Sequence, residues 1–201
     1  MSLTGGAIIP APYKEREIIS FKTAKRIVEM VHENLTPSKI MIKKAFENAI
    51  YVASAIGASS NCPPHLTAIA RHMGIDLGID HWEKLGHNIP LLVNCQPAGE
   101  HLMEGFFKAG GIPAIMQELM KNNKLHKNLM TVTGKTVEEN LKAKINVDKN
   151  VIKSFKDPLV ENAGFIVMKS NFFNSAVMKT SVISKEFKKR YLSNPKNQNI
   201  F

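Results

Sequence analysis

Apolar residues recur at helical spacing through most of the first 120 positions. Ile18, Phe21, Ala24, Ile27, Val28, Val31 and Leu35 mark a first helix. Thr36-Pro37-Ser38 should end it, because proline lacks a donor and clashes with the preceding turn. Ile42, Ala45, Phe46, Ala49, Ile50, Ala53 and Ile56 mark a second helix, closed by Gly57. A polar turn, Ala58 to Pro64, leads to a third helix carrying Leu66, Ile69, Ala70 and Met73, with Gly74 as its stop. Asp80 reads as the N-cap of a short helix containing Trp82 and Leu85. Ile89 to Val93 reads as a short buried strand. Two helices follow, Glu100 to Lys108 and Pro113 to Lys121, separated by Gly110-Gly111.

The texture changes after about residue 125. Thr131 to Thr136 is polar and β-prone, and residues 142–158 have the Lys, Asn and Asp content of a linker. Gly164 to Met168 and Ser175 to Thr180 then read as two strands, with Asn171 to Asn174 as the turn between them. A boundary near residue 155 is therefore expected. The fold class is α/β, with a helix-rich part up to 155 and the start of a β-rich part over 156–201.

Composition narrows the function classes. The 201 residues suffice for one domain, or one plus part of a second. Hydrophobic residues at 44% and charged residues at 22% are those of a globular chain. No run of about 18 apolar residues occurs, so no membrane span is expected. The N-terminus lacks the basic and apolar regions of a secretory signal, and the expected location is cytoplasmic. Cys62 and Cys95 are too far apart in sequence for a zinc knuckle and read as small buried apolar residues. The net charge of +10 raises nucleic acid as a partner. The lysines are spread along the whole chain, however, and only three tyrosines and one tryptophan could stack on bases, so no nucleic-acid partner is expected.

Candidate chemistry is sparse. The turn Gly57-Ala58-Ser59-Ser60-Asn61 precedes the third helix, where backbone donors and the helix dipole favour an anion; plain N-capping is the other reading. His65 and His72 share a face but lie too far apart for one metal ion. Glu100, His101 and Glu104 form either an acid–base group or a surface cluster. Thr133-Gly134-Lys135-Thr136 resembles the end of a phosphate loop, but Leu129 stands where its first glycine belongs. Lys179 lies among apolar residues of a strand and points either to solvent or into a site.

Several strings, taken in order, resemble the dihydroxy-acid and phosphogluconate dehydratase family, most of all its branch acting on sugar acids such as arabinonate and xylonate. They are Pro10 to Arg16, Arg26-Ile27-Val28, Ala45 to Ile50, the Gly57-to-Asn61 turn with His65-Leu66, Pro90 to Asn94, Gln96 to Gly99, Ala109-Gly110-Gly111, Thr131 to Thr136, Met178 to Ser184 and Arg190 to Ser193. The resemblance implies a parent enzyme that converts a 2,3-dihydroxy acid to a 2-keto acid, using an iron–sulfur cluster and Mg2+, as a homo-oligomer. It implies the latter part of an N-terminal α/β/α domain followed by the first strands of a C-terminal β-barrel. It places the cluster cysteines before this segment and the catalytic serine after it. No catalytic residue, metal or cofactor is then expected on this chain alone. Ser59, Ser60, Asn61, His65, Asn171 and Lys179 are the expected substrate contacts. Where the family reads Gly-Gly-Ser-Thr-Asn, this chain has Ala58 and Ser60 in the second and fourth places. The competing expectation is a stand-alone module that binds an acidic ligand.

Overall fold

A computed structural model describes residues 2–145, 147–172 and 175–192. Helices dominate: α1 (Glu15–His32), α2 (Pro37–Ile40), α3 (Lys43–Ala55), α4 (Cys62–His72), α5 (Asp80–Gly86), α6 (Met103–Lys108), α7 (Gly111–Lys121) and α8 (Val137–Asn140). Then come β1 (Phe165–Met168), β2 (Ala176–Lys179), a 3-10 turn (Thr180–Val182) and α9 (Lys185–Leu192). The helix-rich α/β character read from the sequence is the one observed.

α3 is the spine. One of its faces, Phe46, Ile50 and Ala53, joins Ala70 of α4, Leu77, Trp82 of α5 and Phe165 of β1 in one core. Its other side contributes Ala55 to a second core with Ile89, Leu92, Val93, Phe106, Ile115, Leu119 and Ile152. Burying a side chain such as Ile50 or Leu92 contributes about 1.5–3 kcal/mol, so both faces are strongly specified. α3 and α5 approach closely because Gly86 has no side chain; a Cβ there would meet Ser54 Oγ at 2.5 Å. A polar bracket holds the far side of α3: buried Asn48 accepts from the His126 amide at 2.8 Å and donates to its carbonyl at 2.9 Å.

The hairpin is short and antiparallel, pairing Phe165 with Lys179 and Val167 with Val177. It docks on α5 through an edge-to-face contact of Phe165 with Trp82, with ring centroids 5.1 Å apart. Gly164 lies against the Gly86 carbonyl, and an added Cβ would overlap that backbone.

Several local expectations change. α1 ends at His32 rather than at the proline; Asn34 takes a positive φ of 51° and Pro37 opens α2. Asp80 does not cap α5 but begins it, and its carboxylate meets Lys169 at 2.9 Å. α6 starts at Met103, because residues 95–101 form a closed loop in which Gln96 N–H donates to the His101 carbonyl. Residues 89–93 are buried and extended but belong to no regular sheet; Leu91 pairs with Val160 and Val93 with Ile152. Those partners explain why residues 142–158 are not featureless: Val151 and Ile152 enter the second core. Thr131 to Thr136 turns back on itself, and Thr136 with Glu139 forms a capping box for α8. Met1, the Phe173-Asn174 part of the expected hairpin turn, and the tail from Ser193 to Phe201 lie outside the described residues.

Two substitutions test this packing. Trp82→Ala is expected to cost about 3–5 kcal/mol. Gly164→Ala should cost at least about 2 kcal/mol, since backbone rather than a flexible side chain must move. Urea unfolding followed by circular dichroism reads both, and a loss below about 1 kcal/mol for either would contradict the packing described.

Candidate functional site

α3 ends in a Schellman turn: Ala58 N–H donates to the Ala53 carbonyl and Gly57 N–H to the Ser54 carbonyl. Gly57 takes a φ of +61°, and a Cβ there would lie 3.0 Å from Leu91 Cδ1 and 3.2 Å from Ser181 Oγ. Both the dihedral and the space demand glycine. Ala58, in place of the family's second glycine, packs half-buried against the first core and needs no positive φ.

Above this turn lies a cavity of about 370 Å³. Gly57, Ser59, Ser60, Cys95, Pro97 and Lys179 are among the residues that line it. Side chains alternate along a strand, so Lys179 shares the inward face of β2 with Val177. Its ammonium donates to the Gly57 carbonyl at 2.9 Å. One hydrogen bond occupies one of three N–H donors. Among the described residues, Lys179 is the single charged side chain on the cavity wall. Burial lowers its pKa from the usual lysine value, partly offset by the nearby Cys62 sulfur. The cost of burying this charge is present at neutral pH and falls away as pH rises toward the ordinary lysine range. Burial raises the Cys62 thiol, with the Lys179 ammonium opposing it, and burial also raises the Cys95 thiol.

The start of α4 does not supply the backbone donors expected of it. Pro63 and Pro64 have no N–H, the Cys62 N–H donates to the Ser59 carbonyl, and the His65 N–H donates to the Asn61 carbonyl. The positive element facing the cavity is therefore an ammonium rather than a helix end. Of the expected contacts, Ser59, Ser60 and Lys179 come together here. Asn61 is exposed beside the turn, its N–H bonded to Ser59 Oγ at 3.2 Å, and lies off the cavity wall. His65 is exposed one turn up α4, and Asn171 is exposed at the end of the hairpin. Neither lines the cavity.

The sequence reading missed Cys95, Gln96 and Pro97 as cavity residues. The only hint was Gln96-Pro97-Ala98-Gly99 following a buried apolar run. The Gln96–Pro97 peptide is cis. Asn94 Oδ1 accepts from Glu100 N–H at 2.9 Å, and a Cβ on Gly99 would overlap Asn94, so the loop closes only around glycine. Glu104 accepts from Tyr13 and pairs with Lys108 at 2.6 Å, which makes it a surface tie of the N-terminal segment rather than part of an acid–base group. Among the described residues no three His, Cys, Asp or Glu side chains converge as metal ligands, and no helix is long and apolar enough to cross a membrane.

A family model for the N-terminal domain of dihydroxy-acid/6-phosphogluconate dehydratases matches residues 1–140, and the chain belongs to that family. It is 48% identical over 201 residues to D-xylonate dehydratase of Caulobacter vibrioides, covering 100% of this chain and 34% of the relative. It is 42% identical over 185 residues to L-arabinonate dehydratase of Rhizobium leguminosarum, covering 92% and 32%. It is 42% identical over 188 residues to dihydroxy-acid dehydratase of Acetivibrio thermocellus, covering 92% and 34%. The chain thus spans about a third of the length of the curated relatives it matches.

The Lys179–Cys62 proximity is testable. Removing the ammonium in Lys179→Met should slow Cys62 alkylation at about pH 8.5 by about threefold, because the charge favouring the thiolate is gone. Peptide mass spectrometry gives the rate, with Cys95 as internal reference. An unchanged ratio of the two rates would show that the ammonium does not reach the thiol.

Proposed function

We propose that this chain is the substrate-framing part of a cytoplasmic, homo-oligomeric dehydratase that removes water from a 2,3-dihydroxy acid to give a 2-keto acid. The substrate is a sugar acid such as D-xylonate or L-arabinonate, or 2,3-dihydroxyisovalerate. Residues 1–155 form the latter part of the N-terminal α/β domain, and 156–201 begin a C-terminal β-barrel. The observation that carries the reading is a cavity lined by two serines and, among the described residues, one ammonium, in a chain matched along its whole length by a sugar-acid dehydratase.

Each residue's task follows from its chemistry. The Lys179 ammonium, half desolvated and already fixed by the Gly57 carbonyl, takes the substrate carboxylate. A charge-assisted hydrogen bond in such a setting contributes about 1.5–3 kcal/mol. Ser59 and Ser60 also line the cavity, and their hydroxyls suit sugar hydroxyls, which both donate and accept. Phe106 and Val93 add apolar surface to the lining, which disfavours water there.

The iron–sulfur cluster and Mg2+ of this reading do not fit the donor set described here. The Cys62 and Cys95 thiols are both held toward the protonated form by burial, and among the described residues no carboxylate lines the cavity. Those groups belong to other parts of a longer polypeptide, and no step is assigned through them.

In the complete enzyme, Lys179→Met is expected to lower kcat/KM for the sugar acid by about 10- to 100-fold, mainly through KM, with Lys179→Arg retaining part of the activity. Formation of the 2-keto acid from D-xylonate, L-arabinonate and dihydroxyisovalerate gives the measurement. An unchanged KM in Lys179→Met would remove the carboxylate assignment. These 201 residues alone, reconstituted with iron and sulfide, are expected to show no turnover; measurable turnover would overturn the division of labour.

A further inference from the structure

A lysine ammonium rides on a flexible stem, so its aim depends on how firmly its backbone is held. Lys179 is the last residue of β2, where the pairing with Phe165 ends the ladder. The next residue, Thr180, is 5% exposed. It is fastened twice to one acceptor. Its N–H donates to the Gly164 carbonyl at 3.3 Å, and its hydroxyl donates to the same oxygen at 2.7 Å. The Asn162 carbonyl is also 3.3 Å from that hydroxyl. Gly164 is a fixed point, because its backbone is pressed against the Gly86 carbonyl of α5. Beyond Thr180, Ser181 is buried, and its Oγ lies 3.2 Å from where a Cβ on Gly57 would be. Residues 179–181 therefore meet the Gly57 turn twice, with Thr180 pinned between the two contacts.

We propose that Thr180 is a positioning residue for Lys179: its hydroxyl, bonded to the Gly164 carbonyl, holds the end of β2 so that the ammonium meets the Gly57 carbonyl and faces the cavity. The inference rests on the reading of Lys179 as the carboxylate contact. Thr180 is not among the residues that line the cavity, so it acts through the lysine and not on the substrate. The hydroxyl is needed because the backbone bond alone is weak. At 3.3 Å the Thr180 N–H lies beyond the usual N–H···O range, whereas 2.7 Å is the common O–H···O distance. Valine has the shape of threonine without the donor, and would leave a buried carbonyl with only the longer bond. Serine keeps the donor and gives up a methyl.

Thr180→Val, Thr180→Ser and Lys179→Met test it with two readouts. In this chain, Thr180→Val is expected to slow Cys62 alkylation relative to Cys95 by at least about twofold, because the ammonium that favours the thiolate is no longer held near it. Thr180→Ser should keep the wild-type ratio. Thr180→Val added to Lys179→Met should change the ratio no further, since no ammonium is left to position. General loosening of the fold would instead expose Cys62 and speed its alkylation. In the complete enzyme, Thr180→Val should raise KM for the sugar acid by about three- to tenfold with kcat changed less, and Thr180→Ser should hold KM near the wild-type value. A Thr180→Val chain with the wild-type alkylation ratio overturns the proposal. So does a valine effect that persists at full size beside Lys179→Met, or a serine variant that behaves like valine. If the alkylation pattern holds while KM ignores both Thr180→Val and Lys179→Met, the positioning stands and the carboxylate reading fails.

Discussion

Everything in this chain is arranged around a helix that must be covered on two sides at once. α3 sends Phe46, Ile50 and Ala53 into one core and Ala55 into another. A single neighbouring element covers only one face of a helix, so two sets of partners are required. α4, α5 and the hairpin cover the first face. α6, α7 and the buried run 89–93 cover the second. The close approach at Ser54 and Gly86 makes the first set tight, because the α3–α5 separation is set by the absence of a side chain at Gly86. Trp82 is then fully buried, and Phe165 finds its edge-to-face partner. The hairpin's position is thus a consequence of α3, relayed through α5.

The cavity follows from the same chain of contacts. α3 ends at Ala55, and the turn that closes it leaves the Gly57 carbonyl with no helical successor to bond. Lys179 reaches that carbonyl because Phe165, its cross-strand partner, is anchored on Trp82. An ammonium next to apolar walls is electrostatically worth more than one in water, and its lowered pKa is the same fact seen from the proton's side. Prolines at the start of α4 take away two of the backbone donors that could compete with it. The turn is therefore read by a side chain whose distance from it in sequence is more than half the chain.

α1 shows the complementary case. Its apolar residues have a regular helical period, and the helix forms where the period predicts it. Nothing in that period says which way the stripe faces. Arg26, tied to the Val132 carbonyl and to two glutamates of its own helix, turns the polar edge inward and leaves the apolar stripe outside.

The amino-acid pattern by itself determined most of the element inventory. Helical periodicity, Gly57, Gly74 and Gly110-Gly111 located α3, α4, α6 and α7, and alternation located β1 and β2, because these signals are local and depend on backbone geometry. Residue type marked the Gly57-to-Asn61 turn and Lys179 but left their roles open, and it was the resemblance to the dehydratase family that made them expected contacts. What only the tertiary structure decided was orientation and company. It brought Lys179 to the Gly57 carbonyl and Cys95, Gln96 and Pro97 to the same cavity, and it left His65 and Asn171 outside. It consumed the N–H groups of Cys62 and His65, and it faced α1's stripe to solvent. Those outcomes rest on contacts between residues far apart in the chain, where the balance of burial and hydrogen bonding is settled by the whole fold rather than by any one segment's pattern.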